Sequence, residues 1–321
     1  MTTNVMTVRG AVPAERLGFT LPHEHVFTDL SRPFPAELLQ FDFQLLDEGL
    51  QIAELRRFTE AAAAHTEKDP SARPCIFDLT LDSRMGRNPA ALKRVAETLD
   101  MHIVMGCGWY REPWFAPDFN RTSTRELGDL LTREIEQGSD GTGVRPGIIG
   151  ELGADHDVVS PAEERALRAA AIAHKRTGLT ITLHARASRV GMQQLDILEE
   201  AGVAPDRVIV GHTDSYPHPD YHEALAKRGA WVEFDTIRGK FPFIVERSVR
   251  YIKEATRRGY LGRVLLAGDV CALSHLRAYG GTGYDYIPGD FMGVLRGEGY
   301  SQEQLYELTV MNPRRAITGT R

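Results

Sequence analysis

Leu179-Thr-Ile-Thr-Leu-His184, a helical run from Val190 to Ala201, and Arg207-Val-Ile-Val-Gly-His-Thr-Asp214 make one strand–helix–strand unit. Each apolar run is short, as suits a strand buried on both faces, and the run between them carries helical periodicity. The same alternation extends in both directions. Upstream, Pro146-Gly-Ile-Ile-Gly-Glu-Leu-Gly153, His102-Ile-Val-Met-Gly-Cys-Gly108, Pro74-Cys-Ile-Phe-Asp-Leu-Thr-Leu81 and a first strand through Leu21 read as strands. Helical patterns separate them at 161–176, 123–137, 88–99 and 45–65; Asn88 suits a cap and Pro89 a first turn. Downstream, Ala230-Trp-Val-Glu-Phe-Asp235 and Arg263-Val-Leu-Leu-Ala-Gly-Asp269 are the seventh and eighth strands. Helices are expected at 221–227 and 246–258, and a closing helix from Ser301 ends at Asn312-Pro313. Eight strands alternating with helices, with no linker and no second composition regime, predict an α/β fold. It is a single (β/α)₈ TIM barrel over residues 1–321, preceded by a short hairpin within Thr7–Gly18. A doubly wound open sheet is disfavoured because no strand leads into a Gly-rich dinucleotide loop.

Composition narrows the classes of partner. A net charge of −6 argues against nucleic acid, and no apolar run approaches the length of a membrane span. The first ten residues lack the basic and apolar regions of a signal peptide. Cys75, Cys107 and Cys271 are widely spaced and odd in number, which speaks for reduced thiols rather than a disulfide framework. The expectation is a cytoplasmic protein with a small-molecule substrate and neither nucleic-acid nor membrane partners.

Chemistry-bearing residues recur at the C-terminal ends of the strands, where barrel enzymes keep their sites. His23 and His25 end the first strand, Glu151 lies late in the fourth, and His184 ends the fifth; His212 follows the sixth and Asp269 the eighth. Alternation points His23 and His25 to one side and Glu24 away from it. One histidine at a strand end is more often structural, but six metal-type ligands at five strand ends are hard to obtain by accident. They exceed the needs of one tetrahedral ion and suit two divalent ions sharing a carboxylate and a hydroxide nucleophile. Zn²⁺ is the first expectation; the same ligands accept Mn²⁺, Co²⁺ or Fe²⁺. Asp269 is expected to hold the hydroxide and accept its proton.

The stretches Gly18-Phe-Thr-Leu-Pro-His-Glu-His25, Gly147-Ile-Ile-Gly-Glu-Leu-Gly153, Thr182-Leu-His-Ala185, Gly211-His-Thr-Asp214 and Gly268-Asp269 resemble the phosphotriesterase-like family of the amidohydrolase superfamily, over essentially the whole chain. Gly280-Gly-Thr-Gly-Tyr-Asp-Tyr286 resembles its phosphotriesterase homology protein branch. The resemblance implies that His23, His25 and Asp269 hold a more buried metal and His184 and His212 a more exposed one; it also implies a homodimer. Two departures stand out. The family's best-known members bridge their metals with a carboxylated lysine where this chain has Gly150, and Glu151 matches the glutamate that bridges in the homology-protein branch. Gly150 and Glu151 face opposite ways in a regular strand, so a bulge at Gly150 is expected to turn Glu151 inward. The family's paraoxon hydrolases also carry a histidine where this chain has Thr236. Both departures argue against efficient phosphotriester hydrolysis.

Around the mouth, Trp109, Tyr110, Arg186, Asp235 and Arg238 are expected to shape the substrate pocket, the arginines suiting an anionic group. Asp214 is a candidate for orienting a ligand, and Cys107 and Cys271 for lining the pocket. The function expected is hydrolysis of a carboxylic ester or lactone. Hydrolysis of an N-acyl amino acid or similar amide, weak promiscuous phosphotriesterase activity, and a non-catalytic family member are the alternatives. The last would be marked by a missing ligand, and none is missing.

Overall fold

Residues 4–7 and 10–13 form an antiparallel hairpin in which Thr7 pairs with Gly10, and the chain then enters the barrel. The hairpin thus begins earlier than the Thr7–Gly18 segment expected, because Gly10, at φ +106°, supplies the turn and Pro13 ends the second strand. The computed structural model describes residues 3–31, 41–65 and 70–320. Its eight barrel strands are β1 (Leu17–Glu24), β2 (Arg73–Asp78), β3 (His102–Cys107), β4 (Ile148–Gly153), β5 (Ile181–His184), β6 (Val208–Gly211), β7 (Trp231–Phe234) and β8 (Val264–Leu266). They lie side by side in chain order and all parallel. The helices between them are α1 (Glu48–Ala63), α2 (Pro89–Thr98), α3 (Thr124–Gln137), α4 (Pro161–Thr177), α5 (Val190–Glu200), α6 (Pro219–Arg228) and α7 (Pro242–Arg257). The molecule is a (β/α)₈ barrel.

Local chemistry accounts for the helix starts. Asn88 caps α2 by accepting the Ala91 amide, and Ser123 and Ser160 form capping boxes with Glu126 and Glu163. The C-terminal region differs from expectation. The chain does not stop at Asn312-Pro313 but runs from a wide helical turn at Glu307–Met311 into another helix, Asn312–Thr318. Proline is accommodated there because it follows the wide turn directly, where the Asn312 amide reaches back to the Glu307 carbonyl and the hydrogen-bond register changes.

The lumen is divided into an apolar floor and a polar rim. Leu17, Phe77, Val104, Ile148, Ile209, Trp231 and Leu265 form one buried cluster with Ala316 and Ile317 of the last helix. Side chains from strands this far apart around the ring meet only inside it. A larger apolar cluster fills the space between strands and helices, and holds Leu21, Ile76, Ile103, Ile149, Leu183, Val210 and Val232.

Strand β4 breaks this pattern where the sequence said it would. The β4–β5 register shifts between Ile149 and Leu152, and Gly150 sits at φ +106°. Ile148 faces the lumen, yet Leu152 packs in the outer cluster. The phase has slipped by one residue, which turns Glu151 inward. A Cβ on residue 150 would come within 2.1 Å of the Thr182 carbonyl oxygen, so space and backbone both demand glycine. Gly150→Ala is expected to destabilise the fold by roughly 3 kcal/mol or more, read as a drop in denaturation midpoint, and to abolish tight metal binding together with it.

Candidate metal centre

Above the apolar floor the six ligand-type residues converge. His23, His25, Glu151, His184 and His212 are all buried, and Asp269 keeps 16% side-chain exposure at the rim. Glu151 is central: its Oε2 lies 3.2 Å from His23 Nε2, 3.0 Å from His184 Nδ1 and 3.4 Å from His212 Nε2. Its Oε1 lies 3.5 Å from His25 Nε2, which is also 3.5 Å from Asp269 Oδ1. Three groups of ligand-type atoms result: His23–His25–Glu151 and Glu151–His184–His212, which share Glu151, and His23–His212–Asp235 on the far side of those two rings.

The imidazoles are oriented from behind. His25 Nδ1 is 3.0 Å from Thr80 Oγ1, His212 Nδ1 is 2.8 Å from Asp235 Oδ1, and His23 Nδ1 is 3.0 Å from Glu233 Oε2 and 3.1 Å from Asp235 Oδ2. Fixing Nδ1 in this way leaves Nε2 of all three rings for a cation. His184 is turned the other way and presents Nδ1, which lies 2.8 Å from His212 Nε2.

The site fits a metal on its own geometry. His23 Nε2 is fully buried, makes no hydrogen bond and stands 3.2 Å from Glu151 Oε2, which leaves its lone pair aimed into the cluster. The spacings within the triads match donor atoms sharing one ion, which stand about 3.4 Å apart for tetrahedral bonds of ~2.1 Å. The charge balance agrees. Burial opposes a charge on His23, but Glu151 and Asp235 outweigh it and hold its pKa well above the ordinary value. Burial is likewise outweighed at His212, which Asp235 pushes up to about 10. Burial would raise the Glu151 carboxyl, but His23 and His184 hold it well below the usual range. Burial and the neighbouring His212 push His184 down to about 4. Glu151 therefore keeps its charge in the lumen and calls for positive charge beside it, which a divalent ion among these rings can supply.

Two site residues adopt left-handed backbone, His212 at φ +55° and Asp269 at φ +47°. Such conformations cost non-glycine residues of order 1–3 kcal/mol and mark constrained sites. His212 is held there by Asp235, whose Oδ2 accepts its amide at 2.6 Å.

A cavity of about 370 Å³ opens over the cluster, lined among others by Tyr110, Arg111, Trp114, Arg186, Arg238 and His275. That volume suits a small molecule. Tyr110 stands with its hydroxyl 3.4 Å from His184 Nδ1. Arg186 is exposed at the rim and has no ion pair among the described residues. Arg238 donates to the carbonyls of Gly268 and Asp269 at 2.7 and 2.6 Å.

Several expectations need correction. Asp235 does not face the cavity; it is fully buried behind His23 and His212 and orients them. Asp214 orients no ligand, since its Oδ2 accepts from the Thr236 amide and hydroxyl and faces Arg247. Trp109 packs on Phe119, and Trp114 takes the place at the cavity wall. Cys107 is buried in the core with its thiol toward the Ile148 carbonyl, whereas Cys271 lines the cavity as expected. Glu233 and His275 were not anticipated. Glu233 was legible in principle, because Trp231, Glu233 and Asp235 share one face of β7 by alternation. Nothing marked His275 in the sequence.

A (β/α)₈ barrel with a buried histidine–carboxylate cluster at its C-terminal mouth matches one family along nearly its whole length. Residues 3–317 match the phosphotriesterase family model, and the chain belongs to that family. It is 33% identical over 296 residues to the phosphotriesterase homology protein of Escherichia coli, covering 92% of this chain and 96% of the relative. It is 26% identical over 352 residues to the N-acetyltaurine hydrolase of Danio rerio, covering 98% and 97%. The crystal structure of the E. coli protein, complexed with phosphate in its active site, superimposes with a TM-score of 0.85, covering 94% of this chain and 98% of that one.

Asp235→Asn tests the support of the rings, since it exchanges an acceptor for a group that also donates. Metal affinity measured by competition with a chromogenic chelator is expected to fall 10–100-fold while the fold survives.

Proposed function

We propose that this chain is a dinuclear metal-dependent hydrolase acting on a carboxylic ester or lactone. The observation that carries the reading is the pair of ligand triads meeting at Glu151. His23, His25 and Asp269 would hold one ion, His184 and His212 the other, with Glu151 between them. When bound, such ions lower the pKa of a water and polarise the carbonyl it attacks. The chain's residues do the rest. Asp269, ionised and at the rim, accepts the proton of the attacking water and returns it to the leaving group. The Tyr110 hydroxyl borders the reacting face beside His184. Arg186, without an ion pair among the described residues, offers its guanidinium to an anionic group at the far end of the substrate.

A second reading, hydrolysis of an N-acyl amide by the same machinery, is favoured by the similarity to the N-acetyltaurine hydrolase. An acidic N-acyl compound would place its anionic end at the same arginine. Zn²⁺ leads among the metals, with Mn²⁺, Co²⁺ and Fe²⁺ open to the same ligands. A homodimer and a cytoplasmic setting complete the proposal; no helix among the described residues is long and apolar enough to cross a membrane.

Metal analysis of protein purified without chelator is expected to give close to two ions per chain, and fewer than about one would overturn the dinuclear assignment. Metal-loaded protein should be screened against esters, lactones, N-acyl amino acids and phosphotriesters. Turnover of none of them would leave a non-catalytic family member. On the best substrate, Glu151→Gln is expected to lower kcat at least 100-fold and to lose about one ion. Full rate and full metal content in that variant would refute the bridging role. Arg186→Ala is expected to raise KM for anionic substrates about tenfold, equivalent to ~1.4 kcal/mol, and to leave neutral analogues unchanged.

A further inference from the structure

Glu24 separates His23 from His25 and belongs to neither triad, yet its side chain is fully buried. It faces neither the lumen nor the helices; it lies along the seam where β8 meets β1. The Gly268 amide donates to its Oε1 at 2.7 Å and the Val270 amide to its Oε2 at 2.8 Å. The amide between them, that of Asp269, donates to the His23 carbonyl at 3.1 Å. Three consecutive N–H groups after β8 are therefore all taken by two adjacent residues of β1. In return, the His25 amide donates to the Val270 carbonyl at 3.2 Å.

This matters because no ladder pairs β8 with β1 in the sheet, and β8 itself ends at Leu266. The backbone carrying Asp269 is thus held without a regular ladder, by the Glu24 carboxylate on its amides at 268 and 270, by the His23 and His25 backbone, and by Arg238 on the Gly268 and Asp269 carbonyls. Asp269 also holds the left-handed conformation noted above, which the local sequence does not favour and its surroundings must enforce. A carboxylate suits the task because both oxygens accept strongly and lie at the spacing of alternate amides in such a nest. A Cβ on residue 268 would stand 3.1 Å from Glu24 Oε1, so glycine there lets the carboxylate close on the chain.

We propose that Glu24 is a positioning residue that clips the end of strand eight across the barrel seam and sets the direction in which Asp269 enters the metal cluster. The inference rests on the role given to Asp269 in the proposed function, and its test separates the two. Glu24→Gln keeps the size of the side chain but replaces one acceptor with a donor that opposes an amide. Gly268→Ala leaves the charge in place and presses on the carboxylate, and serves if the first variant fails to fold.

Hydrogen exchange of the peptide spanning 264–272, followed in the full chain with and without added Zn²⁺, is expected to quicken at least tenfold in either variant, while peptides from β4 to β6 stay protected. Zn²⁺ affinity by titration is expected to fall about tenfold. On the best substrate kcat should drop 10–100-fold with KM held within twofold. Glu24→Asp, which keeps the charge with a shorter reach, should recover part of the kcat. Unchanged exchange at 268–270 would overturn the proposal. So would a lowered melting temperature with Zn²⁺ affinity and kcat intact, the mark of a purely structural carboxylate. If the unmodified protein turns over no substrate, the hydrolase reading fails, while exchange and Zn²⁺ titration still decide the role of Glu24.

Discussion

A glutamate carboxylate enclosed by four imidazoles is the constraint around which the mouth of this barrel is built. An ionised carboxylate is costly to bury unless opposite charge and hydrogen bonds surround it. Glu151 meets that requirement with His23, His184 and His212 within 3.4 Å of one oxygen and His25 at 3.5 Å from the other. The imidazoles in turn need acceptors behind them to present the right nitrogen. Glu233 and Asp235 on β7 supply these for His23 and His212. The negative charge at the centre is therefore bracketed by a second pair of carboxylates farther out. Such an arrangement calls for positive charge at the centre, which divalent cations can supply.

The scaffold separates its two tasks by height within the lumen. Below, residues from seven strands and the last helix pack an apolar plug, which supplies burial without demanding polar partners. Above, the strands and the residues immediately after them deliver polar side chains from the packed floor. Strand β7 makes the transition within five residues, from Trp231 in the plug to Glu233 and Asp235 in the rim. The segments just past the strand ends carry His25, His212 and Asp269, and the longer loops supply the cavity wall, with Arg111 stacked over the rings of Tyr110 and Trp114.

Legibility in the sequence followed the same division. The barrel was readable because eight apolar runs alternate with helical periods, a pattern that requires only burial. The six ligand-type residues were readable because each lies at or just past the end of such a run. Even the bulge at Gly150 could be anticipated, since regular alternation would have hidden Glu151 from the lumen. What escaped notice depends on contacts between distant segments. Asp235 looks from the sequence like a pocket residue, and only the approach of His212 from β6 makes it an orienting carboxylate. Glu24 looks idle by alternation, and only closure of the ring brings Gly268 and Val270 onto it. His275 reaches the cavity from a loop whose course no periodicity encodes.

The departure at Thr236 has a consequence for the path of a proton. Thr236 donates its hydroxyl to Asp214 at 2.6 Å, and Arg247 lies 3.3 Å from the same carboxylate oxygen. Asp214 is buried, its Oδ2 takes the Thr236 amide and hydroxyl and faces Arg247, and threonine carries no titratable group to hand a proton along. A relay running from Asp269 inward through this position is thereby closed. The other side is open: Asp269 is the most exposed of the six ligand-type residues, and it borders the cavity together with Arg238. A proton accepted by Asp269 in the proposed reaction thus leaves toward solvent or the departing group, and not through the protein. That route favours substrates whose leaving group takes up the proton itself, an alkoxide or an amine, over those whose acidic phenol leaves unaided. The threonine at position 236 and the carboxyl substrates proposed for this chain are, in this view, consistent with one feature of the site.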